Sequence, residues 1–381
     1  MLLVNVWCYR TLQKLIERRN DVGPFQMNKE KVTTVLPFAA RMPRRSAAET
    51  VAMKRFCNRF RPAGATLVAS RCNLQSKIIL GLALAALSLG NTTQARTRGF
   101  PIPSGSQPIS ITEGPDGNFW FTLQNSSQVA RITPQGVITE FQTPTFSFPF
   151  DITPGPDGNI WFSEGSTGQI AFITLAGQIT EIMFSNFDAS SGITSGPDGN
   201  TWFCDLTGNN IWRCDLITHA LTKFPVPTPN SFPEDITTGS DGNLWFTEQQ
   251  GGKIGRITPN GVITEFGNGL GSPRSITDGP DGNVWFTLSF TPQIGRITPA
   301  GDITLFPIPH IPEMIARGNG NYLLFTEFGF NKFAQITTAG VVTESPEFPH
   351  SQPTGITAGV GRSVWFLGYG NNKVYSTTVL R

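Results

Sequence analysis

The side chains able to do chemistry recur with a period near 40. Glu234, Arg274 and Glu313 hold one equivalent place in three successive repeats, one residue after a Pro and two before an Ile. The other repeats place Ile109, Phe150, Ser191 and Thr354 there. Two carboxylates around a guanidinium support two readings. One is a net acidic mouth that holds a cation or a cationic ligand, with Arg274 as an anion clamp. The other is a charge-balanced network that keeps three repeats in register. A second series, Glu164, Asp205, Glu248 and Glu327, follows the aromatic pair of its repeat and is read first as structural.

Nitrogen and sulfur ligands are few. His219, His310 and His350 are the only histidines. His219 lies in a turn, and the other two lie in Pro-rich connections. Metal sites need several such ligands converging, so all three are read as solvent-facing loop residues. Cys204 and Cys214 fall on adjacent strands, offset by two or three residues from direct opposition, which disfavours a bridge. No P-loop, dinucleotide glycine fingerprint or Ser-His-Asp order accompanies them.

The elements that carry these residues are legible from repetition. From Ile111 the chain repeats Ile-Thr-x-Gly-Pro-Asp-Gly-Asn-x-Trp-Phe-Thr, then Ile-Gly-Arg-Ile-Thr-Pro-x-Gly-x-Ile-Thr-Glu-Phe. The leading Ile recurs at 111, 152, 193, 236, 276, 315 and 356. Four strand-like runs per unit at this period predict an all-β, seven-bladed β-propeller with four antiparallel strands per blade. Pro-Asp-Gly-Asn predicts a hairpin turn in which Gly takes the positive φ. The Trp-Phe pair alternates on a strand, sending one ring to each face to stack between blades. Blade six has Leu324 in place of Trp. The last repeat stops at a third strand, and Arg98-Gly-Phe-Pro-Ile-Pro103 reads like a fourth. The N-terminal strand is therefore expected to close blade seven and hide an edge.

Charge is divided along the chain. Residues 1–95 carry 15 basic and 4 acidic side chains, and residues 96–381 carry 14 and 23. The propeller is thus acidic, which argues against a nucleic-acid partner. Residues 1–95 read as an extension with a secretory signal. Its apolar run spans 78–89, follows Arg71 and Lys77, and leads to a small residue at Ala95. That run is too short for a stable membrane span. Met53 is a plausible true start. An exported protein, periplasmic or extracellular, is expected, and as a monomer.

The repeat text, clearest in Trp245-Phe-Thr-Glu248 with Lys253-Ile-Gly-Arg-Ile-Thr-Pro259, resembles the virginiamycin B lyase (streptogramin B lyase) family over roughly residues 98–381. The resemblance implies a seven-bladed propeller that opens cyclic depsipeptides by Mg²⁺-dependent elimination. Those enzymes carry Pro-His-Ala/Gly-Ile at two late inner strands, one preceded by Glu, and a further Glu after the last Trp-Phe. Here the matching positions read Pro312-Glu313-Met314-Ile315 and Gln352-Pro353-Thr354-Gly355-Ile356, and the late Glu falls at Tyr369. The histidine pair is thus replaced by Glu313 and Thr354. The expected function is a propeller that binds a small molecule or peptide at the channel mouth through Arg274, Thr354, Gln352 and Tyr369. The alternative is a lyase on a depsipeptide or other lactone, with Glu313, Glu234 or His350 as catalytic groups and Glu313 and Glu234 holding Mg²⁺.

Overall fold

The computed structural model describes residues 97–184 and 189–378. The apolar segment 78–89 lies outside them. Among the described residues no helix is long and apolar enough to cross a membrane.

Seven four-stranded antiparallel sheets follow one another, six with their strands in sequence order from the channel outward and the seventh ending in the N-terminal strand. The innermost strands are Pro108–Glu113, Pro149–Pro154, Ser190–Ser195, Pro233–Thr238, Pro273–Asp278, Ile315–Arg317 and Pro353–Ala358. Each packs against the next, and the seventh packs against the first, so the ring is closed. Blade seven is completed by the N-terminal strand Arg98–Pro101, which pairs antiparallel with Lys373–Thr378 and sets Phe100 opposite Val374. Phe100 then serves as a fourth-strand aromatic, stacking 5.9 Å from Trp365.

The seven cores lie at the seams. Trp120 packs with Phe162 of the next blade, Trp161 with Phe203, and Trp202 with Phe246. Trp245 packs with Phe286, Trp285 with Phe325, and Trp365 with Phe121 across the closing seam. Where Leu324 replaces Trp, the seam fills with Phe333, Phe348, Phe366 and Tyr375. Burying rings of this size contributes about 1.5–3 kcal/mol each, which makes the seams the main source of stability.

The turn Asp does more than shape the hairpin. Asp116 Oδ1 accepts the Trp120 indole N–H at 3.1 Å, and Asp157, Asp198, Asp241 and Asp281 repeat this for their own Trp. Arg131, Arg213, Arg256 and Arg296, from Ile-Gly-Arg-Ile or its variants, lie over the same Trp rings at 5.2–5.8 Å. Each also donates to a backbone carbonyl of the following blade. These arginines are inter-blade ties. Gly261, at φ +88°, faces Phe224 of the preceding blade so closely that a Cβ would lie 2.1 Å from the ring. In blade three His219 takes this turn position at φ 56° and packs against Phe172.

Cys204 lies opposite Ile211, and Cys214 lies opposite Thr201. Both thiols are free and buried, as the strand offset requires. Burial pushes Cys214 up to about 12, so neither is a reactive thiolate.

Candidate functional site

Six of the seven inner strands carry a bulge between the leading Pro or Ser and the Ile three residues on. The bulge places two consecutive residues at the channel mouth, and the repeat supplies the group that stabilises it. The hydroxyl two residues after Trp accepts the freed amide N–H: Thr247 from Asp235, Thr287 from Ser275 and Ser163 from Asp151. In blade six, which has neither the bulge nor the Trp, Thr326 accepts from Met314 in the same way. Thr247 then donates to the carbonyl of Arg274, and Thr287 donates to that of Glu313, each in the next blade. One hydroxyl thus fixes the backbone of one blade's mouth residue against its neighbour.

This lattice brings Glu234, Arg274 and Glu313 together. Arg274 Nε lies 3.1 Å from Glu234 Oε1, and its Nη1 lies 2.5 Å from Glu313 Oε1. Glu234 is buried, and its Oε2 has no hydrogen-bond partner. Burial pushes its carboxyl above the ordinary range, and the charge of Arg274 opposes the shift. Beside them lies a small pocket, partly open to solvent, lined by Phe150, Asp151, Asp235 and Met314 among others.

The sequence reading did not single out Asp151 and Asp235, the second residues of their bulges. Asp151 accepts from Ser110 Oγ at 2.7 Å and from the Ile193 amide at 2.9 Å. Asp235 accepts the Ile276 amide at 2.8 Å. Both carboxyls are raised by burial, and Asp235 reaches about 8 with the charge of Asp151 adding to the shift. Each lies one residue after its blade's mouth residue, Phe150 or Glu234, and that spacing was the available signal.

The residues of blade seven stand apart from this trio. Thr354 is buried and donates to the carbonyl of Pro108 at 2.8 Å, an inter-blade bond. Gln352 is exposed, with φ 43°, and its backbone N–H donates to Asn331 Oδ1. Tyr369 is half-buried and packs against Phe328, with ring centroids 5.8 Å apart. His350 is exposed in a left-handed loop conformation, φ 61°, and has no ion-pair partner among the described residues. The Mg²⁺ implied by the resemblance finds a poor fit here, because the Arg274 guanidinium already occupies the space between the two carboxylates.

His310 corrects the expectation of a solvent-facing loop histidine. It is half-buried, stacks on Phe330 at 3.7 Å, and sets Nδ1 2.8 Å from Glu344 Oε1 and 3.5 Å from Glu327 Oε2. Burial raises the Glu327 carboxyl, and the charge of Glu344 adds to the rise.

The fold and this repeat define a seven-bladed β-propeller with a charged mouth on one face. Residues 87–268 and 268–380 match the Virginiamycin B lyase family, and the chain belongs to it. The virginiamycin B lyase crystal structure from Staphylococcus aureus is 35% identical and superposes with a TM-score of 0.72, covering 75% of this chain and 100% of that one. A catalytically inactive histidine-to-alanine variant of the same enzyme, crystallised with quinupristin, is 34% identical with a TM-score of 0.71 over 75% and 100% of the two chains. The virginiamycin B lyase of Saccharopolyspora erythraea is 46% identical over 48 residues, which are 13% of this chain and 16% of that protein.

Proposed function

We propose that this chain is an exported propeller that binds a small molecule or peptide at the mouth of its channel without turning it over. The observation that carries the reading is Arg274, held between Glu234 and Glu313 where the lyases place the first histidine of their pair at Glu313's position. A proton acceptor α to a carbonyl needs a free lone pair directed at the substrate. Both carboxylates are committed to Arg274, and Thr354 donates its hydroxyl to a neighbouring blade.

The same face offers what a binding site needs. Phe146, Phe290, Ile311 and Phe330 are exposed on connections that open on the mouth side. Apolar surface around a few fixed polar groups is the usual make-up of a ligand site. The pocket beside the trio is small and partly open, so the bulk of the ligand rests on the rim.

The test incubates the purified protein in excess with quinupristin, with and without Mg²⁺, and follows the peptide by chromatography and fragment-ion analysis. Elimination leaves the mass unchanged, whereas hydrolysis adds a water. Binding without a new product, weakened in Arg274→Ala, is the expected result. A Mg²⁺-dependent, ring-opened product of unchanged mass would establish catalysis instead. Glu313, Glu234 and His350 would then be the groups to substitute.

A further inference from the structure

We infer that His310, Glu327 and Glu344 form a binding site in blade six for a divalent transition metal, with Zn²⁺ preferred over Mg²⁺. The inference does not depend on what the channel mouth binds.

Internal repetition shows what is particular about blade six. In blade four Glu248, Lys253 and Glu265 have the same spacing as Glu327, Lys332 and Glu344, and Thr228 lies over them. The hydroxyl of Thr228 is 2.8 Å from Glu265 and 2.7 Å from Lys253, so that arrangement closes on itself. Blade two repeats it with Glu164, Gln169, Glu181 and Thr145. In both cases the connection contributes a hydroxyl. In blade six it contributes an imidazole.

The geometry around that imidazole is not that of a hydrogen-bonded pair. Nδ1 faces Glu344 Oε1 at 2.8 Å and Glu327 Oε2 at 3.5 Å, and neither contact has good hydrogen-bond geometry. Glu327 is wholly buried, and neither of its oxygens receives a hydrogen bond. Glu248 in blade four shares that orphaned state but has no nitrogen ligand beside it. One donor atom from each of the three residues of blade six lies within 4.8 Å of the others. Ligands on a tetrahedral Zn²⁺, with bonds near 2.0–2.1 Å, stand about 3.4 Å apart, between the 2.8 and 3.5 Å found here.

Charge and access agree with this. Lys332 Nζ binds Glu344 through Oε2 at 2.9 Å and leaves Oε1 to face the histidine. His310 and Glu344 side chains keep about a quarter of their surface exposed, 23% and 25%, so an ion can enter and a water can fill a fourth position. An imidazole with two carboxylates suits Zn²⁺, whereas Mg²⁺ favours oxygen ligands and keeps its waters.

The experiment titrates the full chain with Zn²⁺ by calorimetry, alongside His310→Thr, which restores the blade-four hydroxyl, and Glu327→Gln. The comparison is by difference, because Cys8, Cys57 and Cys72 supply other ligands. The wild type should bind one more equivalent than either variant, and a large excess of Mg²⁺ should leave that equivalent in place. Glu327→Gln keeps the size of the side chain and carries the test if His310→Thr does not fold. Equal Zn²⁺ stoichiometry in the wild type and a folded variant would overturn the inference. So would full displacement of that equivalent by Mg²⁺, which would indicate a site without the imidazole.

Discussion

Replacing Arg274 with Met keeps much of its length and removes its charge, leaving Glu234 and Glu313 facing each other. At 3.1 Å and an effective dielectric of about 20, the Arg274–Glu234 attraction is about 5 kcal/mol before desolvation. Breaking a fully buried pair costs about 3–5 kcal/mol, and the Arg274 side chain is 30% exposed, which reduces the expected loss to about 2–3 kcal/mol. For a propeller of this size the unfolding entropy is about 0.6 kcal/mol/K, so Tm should fall by about 4 °C at neutral pH. Calorimetry across pH provides the sharper test. Without Arg274 the already raised Glu234 carboxyl rises further, so the native state holds a proton that the unfolded chain has released. The deficit should therefore shrink as pH falls toward the ordinary carboxylate range, and Glu234→Gln added to Arg274→Met should recover part of it at pH 7. A variant with unchanged Tm, or a deficit independent of pH, would refute the view that this trio is a buried, mutually compensated network.

Other consequences follow from the same structure. Burial raises Glu164 and Glu248 from an ordinary 4.5 to about 7, so stability should fall as pH rises from about 4.5 to about 7 and then level off. Chemical denaturation across that range should show a weaker fall in Glu164→Gln and Glu248→Gln, each variant removing up to about 3 kcal/mol of the pH dependence. Deleting the strand Arg98–Pro101 exposes the edge of Lys373–Thr378 and the face of Trp365, so size-exclusion chromatography should show self-association that the intact chain does not.

The fold was almost wholly legible in the sequence, because its signals are local and repeated. Pro-Asp-Gly-Asn fixes a reversal within four residues, and Trp-Phe alternation fixes which ring meets which neighbour. Seven copies leave little freedom for another architecture. The closing strand was legible for the same reason, since Arg98–Pro103 carries fourth-strand text without a blade of its own. The mouth was half legible. The equivalent slot picked out Glu234, Arg274 and Glu313, but whether they form a free acidic mouth or a tied trio depends on which way the starts of three inner strands turn their side chains. Inter-blade hydroxyls such as Thr287 decide that. The loops were not legible. His310 and His350 look alike in sequence, each in a Pro-rich connection, yet one is folded onto two carboxylates and the other stands in solvent. His310 meets residues 17 and 34 positions away through a strand register and a loop path that no short-range preference encodes. Repetition determines the ring from the sequence alone, but contacts between a variable loop and a fixed blade are decided only once the ring has closed.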